Sequence, residues 1–332
     1  MPFDEMRKLY IIGNGFDLHH GLKTKYTDFC RWLKNNNNDT YHNLLAVYNL
    51  PDDIDRMWEW WSMFEAHLVD LDLDDEISDL TTEYSIDYGS DDFREGDRYA
   101  GAWEAETRFN NLMSEILDSF DSWVDSLMKV QTYNTLCNIA PTATFINFNY
   151  TQTLELLYGI PSNSVHHIHG KCGDGNYVLG HAKSYDEIKV QVAGEDKYVQ
   201  AMTPAERAEW HSEHFDEVYE NVVDATVSHL VSYRKHTDVI IAKHEYLFSQ
   251  MADLEEIIIY GYSFSDIDNP YLFEILKRVN NKANLSFEVS FHTAADKIKA
   301  EEFFLNTDIK AEQIRYVRLT DYSTDIQMQL FN

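Results

Sequence analysis

Cysteine, proline and glycine are scarce in this chain, at 3, 6 and 13 among 332 residues. The cysteines Cys30, Cys137 and Cys172 are odd in number, far apart and form no CxxC pair. They offer no disulfide framework and read as free thiols in a reducing cytoplasm. So few glycines and prolines disfavour a turn-rich β-sandwich and favour long helices. Basic residues are also short, 27 against 57 acidic ones, for a formal net charge of −30. Such a field repels phosphate backbones, and no Lys/Arg cluster provides a local groove, so direct nucleic-acid binding is not expected. A small anion held by backbone N–H groups stays compatible with that charge, because salt screens the field beyond ~8 Å. With no N-terminal apolar segment and no run of ~18 apolar residues, neither export nor a membrane span is expected, and the protein is placed in the cytoplasm.

Hydrophobic residues make up 44% of the chain and aromatic residues 14%, which is enough for a sizeable core. The length suggests about two domains of ~150 residues each. Near the start, the apolar stretch Lys8–Ile12 runs into Gly13-Asn14-Gly15-Phe16-Asp17. A strand ending in paired glycines is where nucleotide-binding α/β folds set a phosphate against bare backbone amides. The plainer alternative is a tight turn in which the glycines supply positive φ and Asp17 caps the next helix.

A helix capped by Thr24 or Thr27 then carries Phe29, Trp32 and Leu33 and stops in the polar run Asn35–Asn38. Helical spacing recurs from Ile54 to Leu71 and from Phe109 to Leu127. Between them, residues 70–98 hold twelve acidic residues with only Arg94 and Arg98 as bases, which reads as a solvated loop with frayed helix ends. The character changes at Thr142–Phe148, which is β-rich. A helix through Leu154 and Tyr158, ended by Pro161, leads to the short strands Val165–His169 and Tyr177–Gly180. Residues 183–236 are polar and helical, with Thr203-Pro204-Ala205-Glu206 as a helix start.

Glu256–Gly261 is the most hydrophobic strand, with an apolar run that suggests burial on both faces. A helix opening at Pro270, a strand at Leu285–His292, a helix at Ala294–Leu305 and a strand at Ile314–Leu319 complete the pattern. The alternation predicts an α/β fold: a Rossmann-like, doubly wound, mostly parallel sheet with large helical insertions. The expected core is discontinuous, residues 1–35, 138–182 and 237–325, with an acidic helical insertion at 40–135 and a second at 183–236.

Four loops carry the unusual residues, and each follows a predicted strand. They are Gly13-Asn14-Gly15, Asn149-Tyr150-Thr151, His169-Gly170, and Gly261-Tyr262-Ser263 with Asp266 and Asp268. In an open parallel sheet the loops at the carboxyl ends of the strands form the ligand crevice. Turn chemistry explains any one of these loops alone, and much less easily all four in register.

The stretches GNGFDLHHGLKTKYTDF, FINFNYT, HIHGK and IIIYGYSFSDID, in that order, closely resemble the bacterial AbiH family of phage abortive-infection proteins. The same blocks are more remotely similar to the sirtuin-like NAD-consuming domains of antiphage defence proteins. The second resemblance implies a sirtuin-like core with NAD as substrate. It implies that Asn149 stands by the nicotinamide ribose and that His169 is catalytic. It further implies that Gly13, Asn14, Gly15, Phe16, Asp17, Tyr150, Thr151, Gly261, Ser263 and Asp268 line the dinucleotide. Thr151 stands where such NADases often carry Asp, so a ribose-binding carboxylate is missing there, with Asp17 or Asp268 as substitutes. The sirtuin zinc ribbon is absent, so protein deacetylation is not implied. The expected function is antiphage defence by an NAD glycohydrolase, with no metal, a homo-oligomer or a phage-derived trigger remaining as open partner classes.

Cleaving the glycosidic bond of NAD asks little of a protein, because nicotinamide is already a cationic leaving group. The site must hold the ribose, place a water and remove a proton, for which His169 is chemically suited and Asn149 can orient the water or the carboxamide. The bland alternatives are an Asx turn or helix cap at Asn149 and a backbone-bonded strand-end histidine at His169. A different reading takes His167, His169 and His181 as ligands of a metal-dependent phosphoesterase or nuclease-like hydrolase. A third is a nucleotide sensor or partner-binding toxin without turnover. Cys172, beside the His169 loop, has no activating neighbour and reads as inert.

Overall fold

A computed structural model describes residues 7–70, 74–129, 136–193, 202–213 and 215–322. The chain divides into two compact units, residues 1–29, 120–178 and 236–332 in one, residues 30–119 and 179–235 in the other. The first unit carries β1 (Lys8–Ile12), β2 (Thr144–Asn147), β3 (Val165–His167), β4 (Glu256–Tyr260), β5 (Ser286–Ser290) and β6 (Ile314–Val317). Every neighbouring pair is parallel, in the order β3-β2-β1-β4-β5-β6. This is a Rossmann-like α/β sheet. Its strand order reverses between β1 and β4, the switch point at which such sheets open a ligand crevice.

Period-2 alternation assigns each strand residue to one of two buried faces. Leu9, Ile11, Ile146, Ile257, Ile259, Phe287 and Val289 belong to one core, with Tyr271, Leu272, Ile275, Phe303 and Phe304 from the helices Asn269–Arg278 and Ala294–Leu305. Tyr10, Ile12, Phe145, Val165, Ile258 and Tyr260 belong to the other, with Phe16 and Leu154 from the helices Asn14–His19 and Thr153–Tyr158. Burial on both faces is why Ile257-Ile258-Ile259 reads as an unbroken apolar run: β4 lies inside the sheet, between β1 and β5. One carboxylate interrupts the second core. Glu288 on β5 is buried, accepts from the Tyr260 hydroxyl at 2.5 Å, and also takes the Tyr322 hydroxyl and the Arg315 guanidinium.

The second unit is helical, and among its described residues the only β pairing is a bridge between His181 and Arg234. Helix Glu217–Ser232 packs on Tyr185–Ala193 and on Asp74–Glu83. The Trp-rich stripe forms a ring cluster in which Trp61 stacks on Phe64 at 5.5 Å and Trp60 meets Tyr48 edge-on at 5.2 Å. Lys235 is buried here against Glu65 at 2.5 Å.

Several local expectations change. The acidic stretch contains a helix, Asp74–Glu83, anchored by buried Ile77 and Leu80, and a 3-10 turn at Glu95–Tyr99. The polar Asn35–Asn38 run is a one-residue break between the helices Tyr26–Asn36 and Asn38–Val47, the second capped by the Asn37 side chain. The helix before β3 ends at Gly159, whose φ of 65° stops it ahead of Pro161. Tyr177–Gly180 is not a strand. Its Val178 amide donates to the His169 carbonyl at 2.9 Å, and its Tyr177 hydroxyl bonds the Asp121 carboxylate instead of a sheet neighbour. No helix among the described residues is long and apolar enough to cross a membrane.

Candidate functional site

Sheet register explains why the four loops meet. Ile12 pairs with Asn147 and with Tyr260, and Asn147 pairs with His167. These four strand ends are therefore level, and the next residues, Gly13, Phe148, Ile168 and Gly261, leave the sheet together. Asn149 and His169 follow one residue later.

At the switch point, Gly13, Gly15 and Gly261 touch through backbone. A Cβ on Gly13 would lie 2.6 Å from the Gly261 carbonyl oxygen, and one on Gly15 2.7 Å from the Gly261 Cα. Gly261 has φ 65°, and a Cβ there would lie 2.0 Å from the Phe16 nitrogen. The glycines of the first turn serve close approach, since Gly13 is extended at φ −122°. Their amides are engaged: Gly13 N–H donates to the Tyr260 carbonyl and Gly15 N–H to that of Gly261, both at 2.9 Å. Ser290 on β5 fixes the far side by accepting the Gly261 amide at 2.8 Å.

Asp17 does not cap its helix. It is fully buried, and its Oδ2 accepts the Thr151 hydroxyl at 2.5 Å, with Thr153 bonded to Thr151 at 3.2 Å. Oδ1 meets no donor in hydrogen-bond geometry, although Thr153 and Asn149 lie close enough to favour its charge. Burial pushes the Asp17 carboxyl up to about 6, against the pull of those neighbours and of His167. Asn149 is buried too. Its amide donates to the Gly13 carbonyl at 3.1 Å, and its backbone N–H donates to Asn147 Oδ1 at 3.0 Å.

His167 anchors this loop from below. Its Nδ1 lies 3.1 Å from the Asn149 carbonyl and its Nε2 2.9 Å from Glu155 Oε1. His169 is also buried, with its Nε2 3.6 Å from Asp268 Oδ1. Its ring stands edge-on to Phe148 at 5.2 Å and near Tyr271 at 5.8 Å. Gly170 follows at φ 84°, where a Cβ would lie 2.2 Å from the Asn176 carbonyl oxygen. Ser265 donates to Asp268 Oδ2 at 3.0 Å. In the same loop Phe264 holds φ 51°, a left-handed conformation rare for a bulky residue and a store of strain.

The remaining expected residues take other partners. Phe16 is a core residue whose ring lies 4.4 Å from that of His20. Asn14 is exposed and its amide donates to the Thr24 carbonyl at 3.0 Å. The Tyr150 hydroxyl donates to the Val178 carbonyl at 3.1 Å. Ser263 and Asp266 are exposed. Burial and the nearby Asp121 and Asp125 push the Cys172 thiol up to about 11, so its thiolate is disfavoured.

The three histidines of the metal reading take separate partners. His181 belongs to the helical unit, where Nε2 bonds the Leu230 carbonyl at 2.9 Å and Nδ1 accepts the Lys183 amide at 3.1 Å. His167 has both nitrogens engaged as well. Among the described residues no group of three or more His, Cys, Asp or Glu is arranged to hold a metal. A cavity of about 700 Å³, lined by Arg7, Lys8, Thr142, Thr144 and Asp253, opens at the amino-terminal ends of β1 and β2, away from these loops.

A family model described as "Bacteriophage abortive infection AbiH" matches residues 9–289, from inside β1 to the end of β5. The chain belongs to the AbiH family. It is therefore a phage abortive-infection defence protein, and the AbiH match spans all four strand-end loops. No curated protein and no solved structure matches the chain.

Asn147, Thr153, Glu155, Tyr271 and Ser290 also meet at this candidate site and were not singled out from the sequence, where Tyr262 was named only as part of its loop. Asn147 had a visible signal, a polar residue at an inward position of an otherwise apolar strand. The others act across loops and gave none.

Proposed function

We infer that this AbiH protein is a hydrolase that cleaves the nicotinamide–ribose bond of NAD, releasing nicotinamide and ADP-ribose. The observation that carries the reading is His169, in the loop after β3, lying 3.6 Å from Asp268, in the loop after β4, at the carboxyl-terminal edge of an all-parallel 3-2-1-4-5-6 sheet. In this reading water adds to the ribose carbon C1′ as the C–N bond breaks. The bonding electrons leave with neutral nicotinamide, and the water proton passes to His169. Asp268 stabilises the imidazolium that forms.

Asn149 and Asp17 form the floor beneath the ribose. The glycines bring the two loops together, while Ser263 and Asn14, both exposed, are the groups that meet phosphate oxygens, Asn14 keeping its bond to the Thr24 carbonyl. Asp17, hydrogen-bonded by Thr151, returns a carboxylate to the place where sirtuin-like NADases carry one. The test is incubation of the full chain with NAD and chromatography of nicotinamide. Release that is lost in His169→Ala and Asn149→Ala supports the reading, and equal release from wild type and variants overturns it.

One observation favours a second reading, a nucleotide sensor without turnover: His169 is only 3% exposed. A sensor would show a higher Tm with NAD or ADP-ribose and no nicotinamide.

A further inference from the structure

Two tyrosines, given no role by the sequence, pack around the same ring as His169. Tyr262, in the loop after β4, and Tyr271, in the helix Asn269–Arg278, are both buried, at 6% and 0% exposure. Their rings and that of His169 surround one side chain, Phe148, with centroids 5.0, 5.4 and 5.2 Å from it. Among the described residues, neither hydroxyl meets a hydrogen-bond donor or acceptor. Burial raises both phenols well above their ordinary value, the Asp268 carboxylate raises them further, and Tyr262 also feels Tyr271. Two phenols, an imidazole and a carboxylate are thus gathered in an otherwise aromatic surround.

A buried hydroxyl without a partner costs roughly 1–3 kcal/mol, and a phenylalanine would fill the same volume without that cost. The His169–Asp268 separation of 3.6 Å is too long for a good direct bond. It still allows one oxygen at ~2.8 Å from each atom to bridge them.

We propose that the Tyr262 and Tyr271 hydroxyls, with His169 Nε2 and Asp268 Oδ1, hold one water molecule, and that this is the attacking water of NAD cleavage. The second half of this proposal rests on the hydrolase reading. The water has two hydrogens to donate and two lone pairs to accept, which matches four polar neighbours. When its oxygen bonds C1′, one of the two phenol hydrogen bonds gives way to free the attacking lone pair, the C1′–N electrons leave with nicotinamide, one proton goes to His169 and the other stays on the new ribose hydroxyl. Both phenols stay protonated, and the one still bonded holds the oxygen in line.

The experiment compares wild type, Tyr262→Phe and Tyr271→Phe, with far-UV circular dichroism to verify the fold. It reads Tm without ligand and the kinetics of nicotinamide release. A held water predicts that each Phe variant loses about 2 °C or more in Tm, because a bonded hydroxyl is removed. A water that attacks predicts that kcat falls about tenfold or more while KM for NAD is unchanged. A Tm that is unchanged or higher in both variants overturns the bound water. A lower Tm with unchanged kcat overturns its role as nucleophile. A lower Tm in a protein whose wild type releases no nicotinamide keeps the water site and removes the hydrolase reading instead.

Discussion

The Thr151 hydroxyl donates to the Asp17 carboxylate at 2.5 Å, and so joins the loop after β2 to the helix after β1. A hydrogen bond to a charged group contributes about 1.5–3 kcal/mol. Thr151→Val should therefore lower stability by about that amount at pH 8, measured by urea unfolding. In an Asp17→Asn background the same substitution should cost less, because the acceptor no longer carries charge.

Asp17 itself should make stability depend on pH. Its carboxyl is raised from an ordinary 3.8 to about 6, so the native state binds the proton more tightly than the unfolded chain. The stability this gives is complete below pH 3.8 and is lost as pH rises through 6. Asp17→Asn removes the dependence. The variant should be more stable than wild type at pH 8, by on the order of 2–3 kcal/mol, and the gap should narrow as pH falls towards 4. An equal gap at both pH values would contradict the assignment.

Gly261 is the position at which a single methyl should do most harm. Alanine there combines φ 65° with a Cβ 2.0 Å from the Phe16 nitrogen, a backbone atom that cannot rotate away. Gly261→Ala should cost about 3 kcal/mol or more, or prevent folding, as read from soluble yield and Tm. Gly159→Ala is the comparison, since it shares φ 65° but has open space around the new methyl, and should cost only about 1 kcal/mol.

Glu155 and His167 form a buried pair that ends on the Asn149 carbonyl. Glu155→Ala leaves a buried ring nitrogen of His167 without its partner and should cost about 1–3 kcal/mol. The loss should appear in hydrogen exchange as faster opening of the loop around residues 147–151. Uniform exchange across the sheet, with no local change, would mean that the pair does not hold that loop.

The strands of the sheet were legible because period-2 burial leaves a direct imprint. Ile257-Ile258-Ile259 is apolar on both faces, and Thr144–Asn147 alternates between the two cores. Helix Ala294–Leu305 was equally plain, with Thr293 capping it and Asp296 returning the bond. The helix Asp74–Glu83 was hidden because only Ile77 and Leu80 anchor it among acids, and Tyr177–Gly180 looked like a strand because a short apolar run has no period of its own.

The loops of the site could be placed from strand ends alone, yet their wiring could not. That Gly13 and Gly15 pack on Gly261, that Thr151 faces Asp17, and that Glu155 reaches His167 are contacts between residues far apart in sequence. Composition does not encode such contacts. That His181 bonds Leu230 and Lys183 while His167 bonds Asn149 and Glu155 was hidden for the same reason.

The most direct test of the account is nicotinamide release from NAD by the purified full chain, wild type beside His169→Ala, with and without a chelator. The account predicts that wild type releases nicotinamide and ADP-ribose in equal amounts, that the chelator changes nothing, and that His169→Ala loses at least about a hundredfold in rate. A wild-type protein that leaves NAD intact while NAD raises its Tm, or a His169→Ala variant as active as wild type, would contradict it.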